Sequence, residues 1–249
     1  MNRRTFLAAL SALTAVGLSP QAFAFGDSSD VDIAELDIPG TVSRPNAWKR
    51  LLYDVVNTTS VACKTEVPRV DPSDIALFDH PFAVIAGADR FDLPSSEGLQ
   101  QLSRYLSYGG FLLFDDTSGA ETSGFDASVR ELCAAIFPTR PLSPIPADHS
   151  VFRAFFLLDR PLGRVDLHSF LEGVTVGNVA PVLYSRNDLS GALERGPDGR
   201  HVRPVVPGGE RQRREALKLG INLVMYSLTA NYKRDQVHVR QLLMERRLE

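Results

Sequence analysis

Two adjacent carboxylates, Asp115 and Asp116, close an apolar run from Phe111 to Phe114. Such a run reads as a strand covered on both faces, and in open α/β sheets ligands sit beyond the carboxyl ends of the strands. The pair therefore stands where acid–base chemistry or a hard cation would be placed. A hard cation takes several carboxylate or carbonyl oxygens, yet successive residues of an extended chain point to opposite faces. One of the two aspartates, not both, would normally face a given cleft. Asp188 and His149 lie at or beyond other strand ends, and would complete a metal or acid–base site if their loops converge. His149 follows Asp148 in a proline-rich loop, an order in which a carboxylate can orient an imidazole as base or ligand. Each residue has a structural reading too. An aspartate there caps a helix or ties down loop backbone, and a loop histidine bonds its nitrogens to backbone.

Two further positions could meet a ligand. Gly87, with Asp89 just beyond it, ends the run Pro81–Ala86, and a residue without a side chain lets backbone approach a ligand closely. Tyr184 ends the run Val179–Leu183. Complete catalytic signatures are absent from the sequence. It holds no Gly-x-Ser-x-Gly or Gly-x-Cys-x-Gly elbow, no Walker loop, no full dinucleotide fingerprint and no His-Glu-x-x-His pair. No cofactor is expected beyond, at most, a divalent cation.

These residues need a scaffold, and the periodicity supplies one. Val31–Ile38 reads as a first strand ended by Pro39-Gly40. Asn46 is a plausible N-cap for a helix whose apolar stripe is Trp48, Leu51, Leu52, Val55 and Val56. Val61–Val67 is a candidate second strand, with Pro68–Asp74 as connector. A helix carrying Leu99, Leu102 and Leu106 follows Pro94, and Gly109 or Gly110 closes it in a left-handed conformation. Asp126 caps the next helix, which runs to Ile136. Phe152–Leu158 reads as a strand. Leu171–Val174 and Val179–Tyr184 read as a hairpin around Gly177-Asn178, provided Pro181 sits where no ladder donor is needed. Asn187–Gly191 reads as a loop. A long helix from about Glu210 to Leu228 turns Ala216, Leu219, Leu223, Val224 and Ser227 toward the sheet. Strands separated by helices imply a mainly parallel α/β sheet with helices on both faces.

The amino terminus carries a different signal. Arg3-Arg4-Thr5-Phe6-Leu7 precedes an apolar run to about Leu18, and Ala22-Phe23-Ala24 has the small-x-small form that signal peptidase accepts. The paired arginines with Phe6 and Leu7 resemble a twin-arginine export signal. The apolar run is short and rich in Ser, Thr and Gly for a membrane anchor. The expectation is a signal peptide over residues 1–24, cleavage after Ala24, passage through the twin-arginine translocase, and one α/β domain over 25–249 in the periplasm. Removing two arginines and no acid from a chain of formal charge −3 leaves −5. That acidic balance argues against a general nucleic-acid binder. Cys63 and Cys133 are the only cysteines. Cys133 shares a helical face with Val129, Leu132 and Ile136, so two inert thiols are favoured over a bridge.

Gly109–Asp116, Asp148-His149, Tyr184–Asp188 and Leu219–Asn222 with Tyr226 together resemble the bacterial domain of unknown function 4159 family, across nearly all of the mature chain. That family is similar to the class I glutamine-amidotransferase-like and trehalose-utilisation-like folds. The resemblance implies a flavodoxin-like sheet and no particular reaction. The amidotransferase nucleophile is missing, since Phe114 is followed by Asp115, Asp116 and Thr117. Ser150 stands where the trehalose-utilisation-like Asp-His-Pro motif has proline. A non-catalytic periplasmic domain that binds a protein partner or small ligand is the expected function. The alternative is a hydrolase-like or carbohydrate-acting enzyme using Asp115, Asp116, His149 and Asp188.

Overall fold

The computed structural model describes residues 30–245, with side chains as far as Thr229. Residues 1–24, where the export signal is expected, lie outside it. Among the described residues the strands are β1 (Ile33–Leu36), β2 (Arg69–Val70), β3 (Phe82–Gly87), β4 (Phe111–Asp116), β5 (Ser143–Pro144), β6 (Glu172–Val176) and β7 (Val179–Ser185). They form one sheet in the order β2-β1-β3-β4-β7-β6-β5. β2, β1, β3, β4 and β7 are mutually parallel, and β6 and β5 add antiparallel strands at one side. The parallel part has the flavodoxin-like order.

The alternation of each strand sends side chains into two separate cores. On one face Ile33, Phe82, Val84, Phe111, Leu113 and Leu183 meet α1 (Pro45–Thr58) and the last helix. On the other, Ala34, Leu36, Ile85, Leu112, Phe114 and Tyr184 meet α2 (Ser96–Ser107) and α3 (Gly124–Ile136). α4 (Leu189–Leu193) and α5 (Gly209–Glu245) pack on the α1 face. Ala216, Leu219, Leu223, Val224 and Ser227 of α5 are buried, as the spacing predicts. No helix among the described residues is long and apolar enough to cross a membrane.

α2 ends in the geometry that its glycines suggest. Gly109 has φ 110°, and the Gly110 amide donates back to the Tyr105 carbonyl at 2.9 Å, the Schellman closure. A Cβ on Gly110 would lie 2.4 Å from the Tyr105 ring, so this second glycine is required by packing. Pro181 lies in a bulge, where four residues of β7, Val179 to Val182, oppose three of β6, Val174 to Val176. The irregular pairing there accommodates a residue without a donor.

Several local expectations change. The N-cap of α1 is Arg44, with Pro45 at N1, because the backbone before Asn46 is already helical. Val56 is 44% exposed, and Asp54 rather than Val56 completes the buried side of α1. The second strand is Arg69–Val70, inside the expected connector; Val61–Val67 contributes only a bridge from Cys63 to Val31. Ser123 caps α3, accepting from the Asp126 amide, and Asp126 instead occupies the first turn, facing Arg130. The segment after His149 forms a 3-10 turn (Ser150–Arg153) and irregular chain, not a strand. Asn187–Gly191 runs into helix α4.

Candidate functional site

Asp115 and Asp116 part to opposite faces, as alternation demands. Asp115 lies on the α1 face, opposite Ala86 of β3 and Ser185 of β7 in the ladder. Its two carboxylate oxygens accept from the Leu189 and Ser190 amides, both at 2.8 Å. These are unpaired donors of the first turn of α4, so the carboxylate caps a helix that follows a different strand. Asp188 caps the same helix from within the chain. It holds φ 54°, a left-handed conformation that aspartate tolerates better than most residues, and accepts from the Gly191 amide at 2.9 Å. A Cβ on Gly191 would sit 2.4 Å from that carboxylate.

Two guanidiniums close the cluster. Arg44 Nη1 donates to Asp188 Oδ1 at 2.5 Å and to Ser190 Oγ at 3.1 Å, while Arg164 Nε pairs with the other Asp188 oxygen. Behind Arg44, buried Glu35 of β1 accepts from the Arg44 amide at 2.6 Å, Trp48 Nε1 at 3.1 Å and the Ser43 hydroxyl. Asp188 alone bonds both guanidiniums, in a site where Asp115 and Asp188 are both 0% exposed. Burial first, and the Asp188 charge second, push the Asp115 carboxyl up to about 6.

Asp116 is equally committed on the α3 face. It accepts from the Ser118 amide at 2.9 Å, the Ser123 hydroxyl at 2.6 Å and the Tyr184 hydroxyl at 3.2 Å. Burial, reinforced by Asp116, drives the Tyr184 phenol far above its ordinary range. The Arg186 guanidinium lies 5.9 Å over the Tyr184 ring and donates to the Glu121 carbonyl at 2.7 Å. Its distances to Glu172 and Asp126 are 3.7 and 3.9 Å, and Arg130 bonds both of those carboxylates directly.

The other predicted positions fall elsewhere. The space before Gly87 is filled by Phe125, whose ring would lie 2.5 Å from a Cβ there, so the missing side chain admits α3. Asp89 is exposed on the following loop, against which Gly124 packs. His149 caps the 3-10 turn with Nδ1, accepting from the Val151 amide at 3.3 Å, and its ring lies 5.3 Å from the Tyr226 ring at a tilt of 57°. The Tyr226 hydroxyl accepts from the Ala180 amide at 2.7 Å, near the start of β7. Asp188 lies past the far end of that strand. Ser185 is five residue steps along the strand from Ala180, roughly 16 Å. The structure thus brings Asp115 to Asp188 and Asp116 to Tyr184, and leaves His149 near the opposite end of β7.

Among the described residues no group of three or more His, Cys, Asp or Glu side chains is placed to hold a metal ion. Cys63 and Cys133 are free thiols associated with opposite faces of the sheet. Burial pushes both up, Cys63 to about 11 and Cys133 to about 12, so neither is a ready nucleophile.

Glu35, Arg44 and Arg164 were invisible as site residues in the sequence. So were the roles of two interior asparagines. Asn187 accepts from the Leu167 and His168 amides and donates to the Pro161 and His168 carbonyls. Asn222 accepts from the Phe155 and Phe156 amides and donates to the Val151 and Phe156 carbonyls. Each uses all its amide valences to hold a loop that has no ladder of its own.

Comparison with known proteins adds one finding. Residues 33–228 match the model of a family described as a domain of unknown function (DUF4159). No curated protein matches the chain.

Proposed function

We propose that this chain, which belongs to the DUF4159 family, is a non-catalytic domain that binds a protein partner or small ligand on an amidotransferase-like scaffold in the periplasm. One observation carries the reading: the carboxylates at the strand ends are consumed by the fold. Both oxygens of Asp115 take helix amides, Asp188 takes an amide and two guanidiniums, and Asp116 takes an amide and two hydroxyls. A carboxyl near pH 6 would suit a general acid, but an acid must reach the atom it protonates. Asp115 is sealed beneath α4, and His149 is a strand length away. The missing amidotransferase cysteine points the same way.

Export supports the compartment: Arg3, Arg4, Phe6 and Leu7 form the twin-arginine pattern, and Ala22 and Ala24 the cleavage pattern. The translocase is then a partner in transit, and the mature chain is not integral to the membrane. The competing reading, a divalent-metal hydrolase at Asp115, Asp116, Asp188 and His149, is separable by experiment. The purified mature protein is analysed for metals and its thermal midpoint followed against divalent cations. Substoichiometric metal and an unmoved midpoint are expected. A stoichiometric metal that disappears in Asp115→Asn or His149→Ala would overturn the proposal.

A further inference from the structure

Residues 195–214 carry six arginines against two acids, a formal charge of +4, in a chain whose net charge is −3; the remaining 229 residues therefore carry −7. The structure gathers this segment into one patch. An antiparallel bridge from Arg195 to His201 makes a tight hairpin, which turns at Gly199 with φ 75°. Arg213, on the first turns of α5, pins both flanks of the hairpin by donating to the Ala192 carbonyl at 2.5 Å and the Arg203 carbonyl at 2.9 Å. The hairpin and the start of α5 thus present their charges together.

Two arginines are spent internally, Arg203 on Glu194 and Arg213 on Glu210. Arg195 is a third, its Nη1 donating to the Gly199 carbonyl at 3.1 Å within the hairpin, which leaves Arg200, Arg211 and Arg214. Among the described residues Arg195, Arg200, Arg211 and Arg214 have no carboxylate within 3.5 Å; Asp198 stands 3.9 Å from Arg200. The Arg200 side chain is 88% exposed, and Arg211 and Arg214 are exposed. On the bridged pair, Arg195 Nε and His201 Nδ1 are out of solvent and without a protein partner. Val202 and Val206 of the same segment are 50% and 49% exposed.

We propose that this patch is a docking surface for an anionic phospholipid bilayer, with lipid phosphates on the exposed Arg200, Arg211 and Arg214 guanidiniums and the two valines at the acyl boundary. Basic side chains interspersed with exposed aliphatic ones are the composition that interfacial binding uses. A lipid surface also rearranges laterally, so it can meet arginines set on a hairpin tip and a helix turn. An acidic polypeptide would use the charges but has no comparable use for the paired valines. The proposal is independent of the strand-end carboxylates.

The test is sedimentation of the purified protein with phosphatidylcholine vesicles containing phosphatidylglycerol at about one third of the lipid, beside pure phosphatidylcholine vesicles. Binding is expected only to the anionic vesicles, and is expected to weaken between about 50 and 300 mM salt. The variant Arg200→Gln/Arg211→Gln/Arg214→Gln leaves the Arg213 clamp intact and should keep its thermal midpoint. It should lose roughly 100-fold in partitioning, on the order of fivefold per arginine. Absence of binding at low salt, or an unchanged triple variant, would overturn the proposal. So would displacement by millimolar inorganic phosphate at constant ionic strength, which identifies a free phosphate as the ligand. Binding to polyglutamate without binding to vesicles would transfer the patch to an acidic polypeptide and equally end the lipid assignment.

Discussion

Replacing Asp115 by asparagine should remove a pH dependence from the stability of the fold. The Asp115 carboxyl sits near 6 in the folded chain against 3.8 for a free one. Between about pH 4 and pH 6 the folded chain keeps a proton that the unfolded chain has released. Unfolding then releases a proton, so the wild-type chain loses stability as pH rises through this window and levels off above it. At 1.36 kcal/mol per pH unit the Asp115 contribution is about 3 kcal/mol. For a domain of this size that is roughly 6–12 °C in midpoint. Asparagine has the shape of the protonated acid and cannot ionise, but its NH2 must face one of the Leu189 and Ser190 amides, which costs about 1–3 kcal/mol. The variant should therefore be the less stable protein at pH 4.5 and equal or better the wild type at pH 7.5. Urea denaturation of both proteins at a series of pH values measures the difference directly, and comparison of the pair cancels the carboxylates that do not interact with Asp115. A wild-type-minus-variant difference constant to within about 0.5 kcal/mol across that range would refute the reasoning.

Three shorter predictions rest on other contacts. Gly110→Ala drives a methyl into the Tyr105 ring, which is held by bonds from its hydroxyl to the His80 and Phe111 carbonyls; a loss of about 2–3 kcal/mol by chemical denaturation is expected. Asn222→Asp keeps the acceptor for the Phe155 and Phe156 amides but turns a charged oxygen on the Val151 and Phe156 carbonyls. It should cost about 3 kcal/mol at pH 7.5 and recover part of that at pH 5, where the new acid can be protonated. Arg3→Lys with Arg4→Lys should abolish accumulation of processed protein in periplasmic fractions; normal processing of the double variant would dismiss the twin-arginine route.

What could be read in the sequence was whatever repeats at the spacing of an element. Trp48, Leu51, Leu52 and Val55 recur on one side of a helix, and Phe111–Phe114 is an apolar run bounded by glycine and aspartate, so α1 and β4 were legible. The parallel sheet followed from their alternation. Short elements were not: β2 is two residues whose placement depends on β1, and α4 is five residues whose first amides are satisfied by Asp115, 74 positions away. Arg44 and Asp188 are likewise 144 residues apart and neither breaks a local pattern. The pairing of Asp115 with backbone amides also explains why its functional appearance was ambiguous. An aspartate ending a buried strand has the same sequence signature whether it serves a ligand or a helix end.

The two interior asparagines have a consequence for how this domain can diversify. Asn222 and Asn187 grip the backbone of the segments around Phe155 and Leu167, not their side chains, and those segments display Phe155, Leu157, Leu167 and Phe170 at 43%, 85%, 42% and 37% exposure. Side-chain identity at these positions is thereby uncoupled from the path of the chain. The outward residues can be exchanged at little cost to folding, while the loops that carry them stay in place. Such loops behave as fixed mounts for a changeable surface, whose outward side chains can vary without rebuilding the sheet beneath.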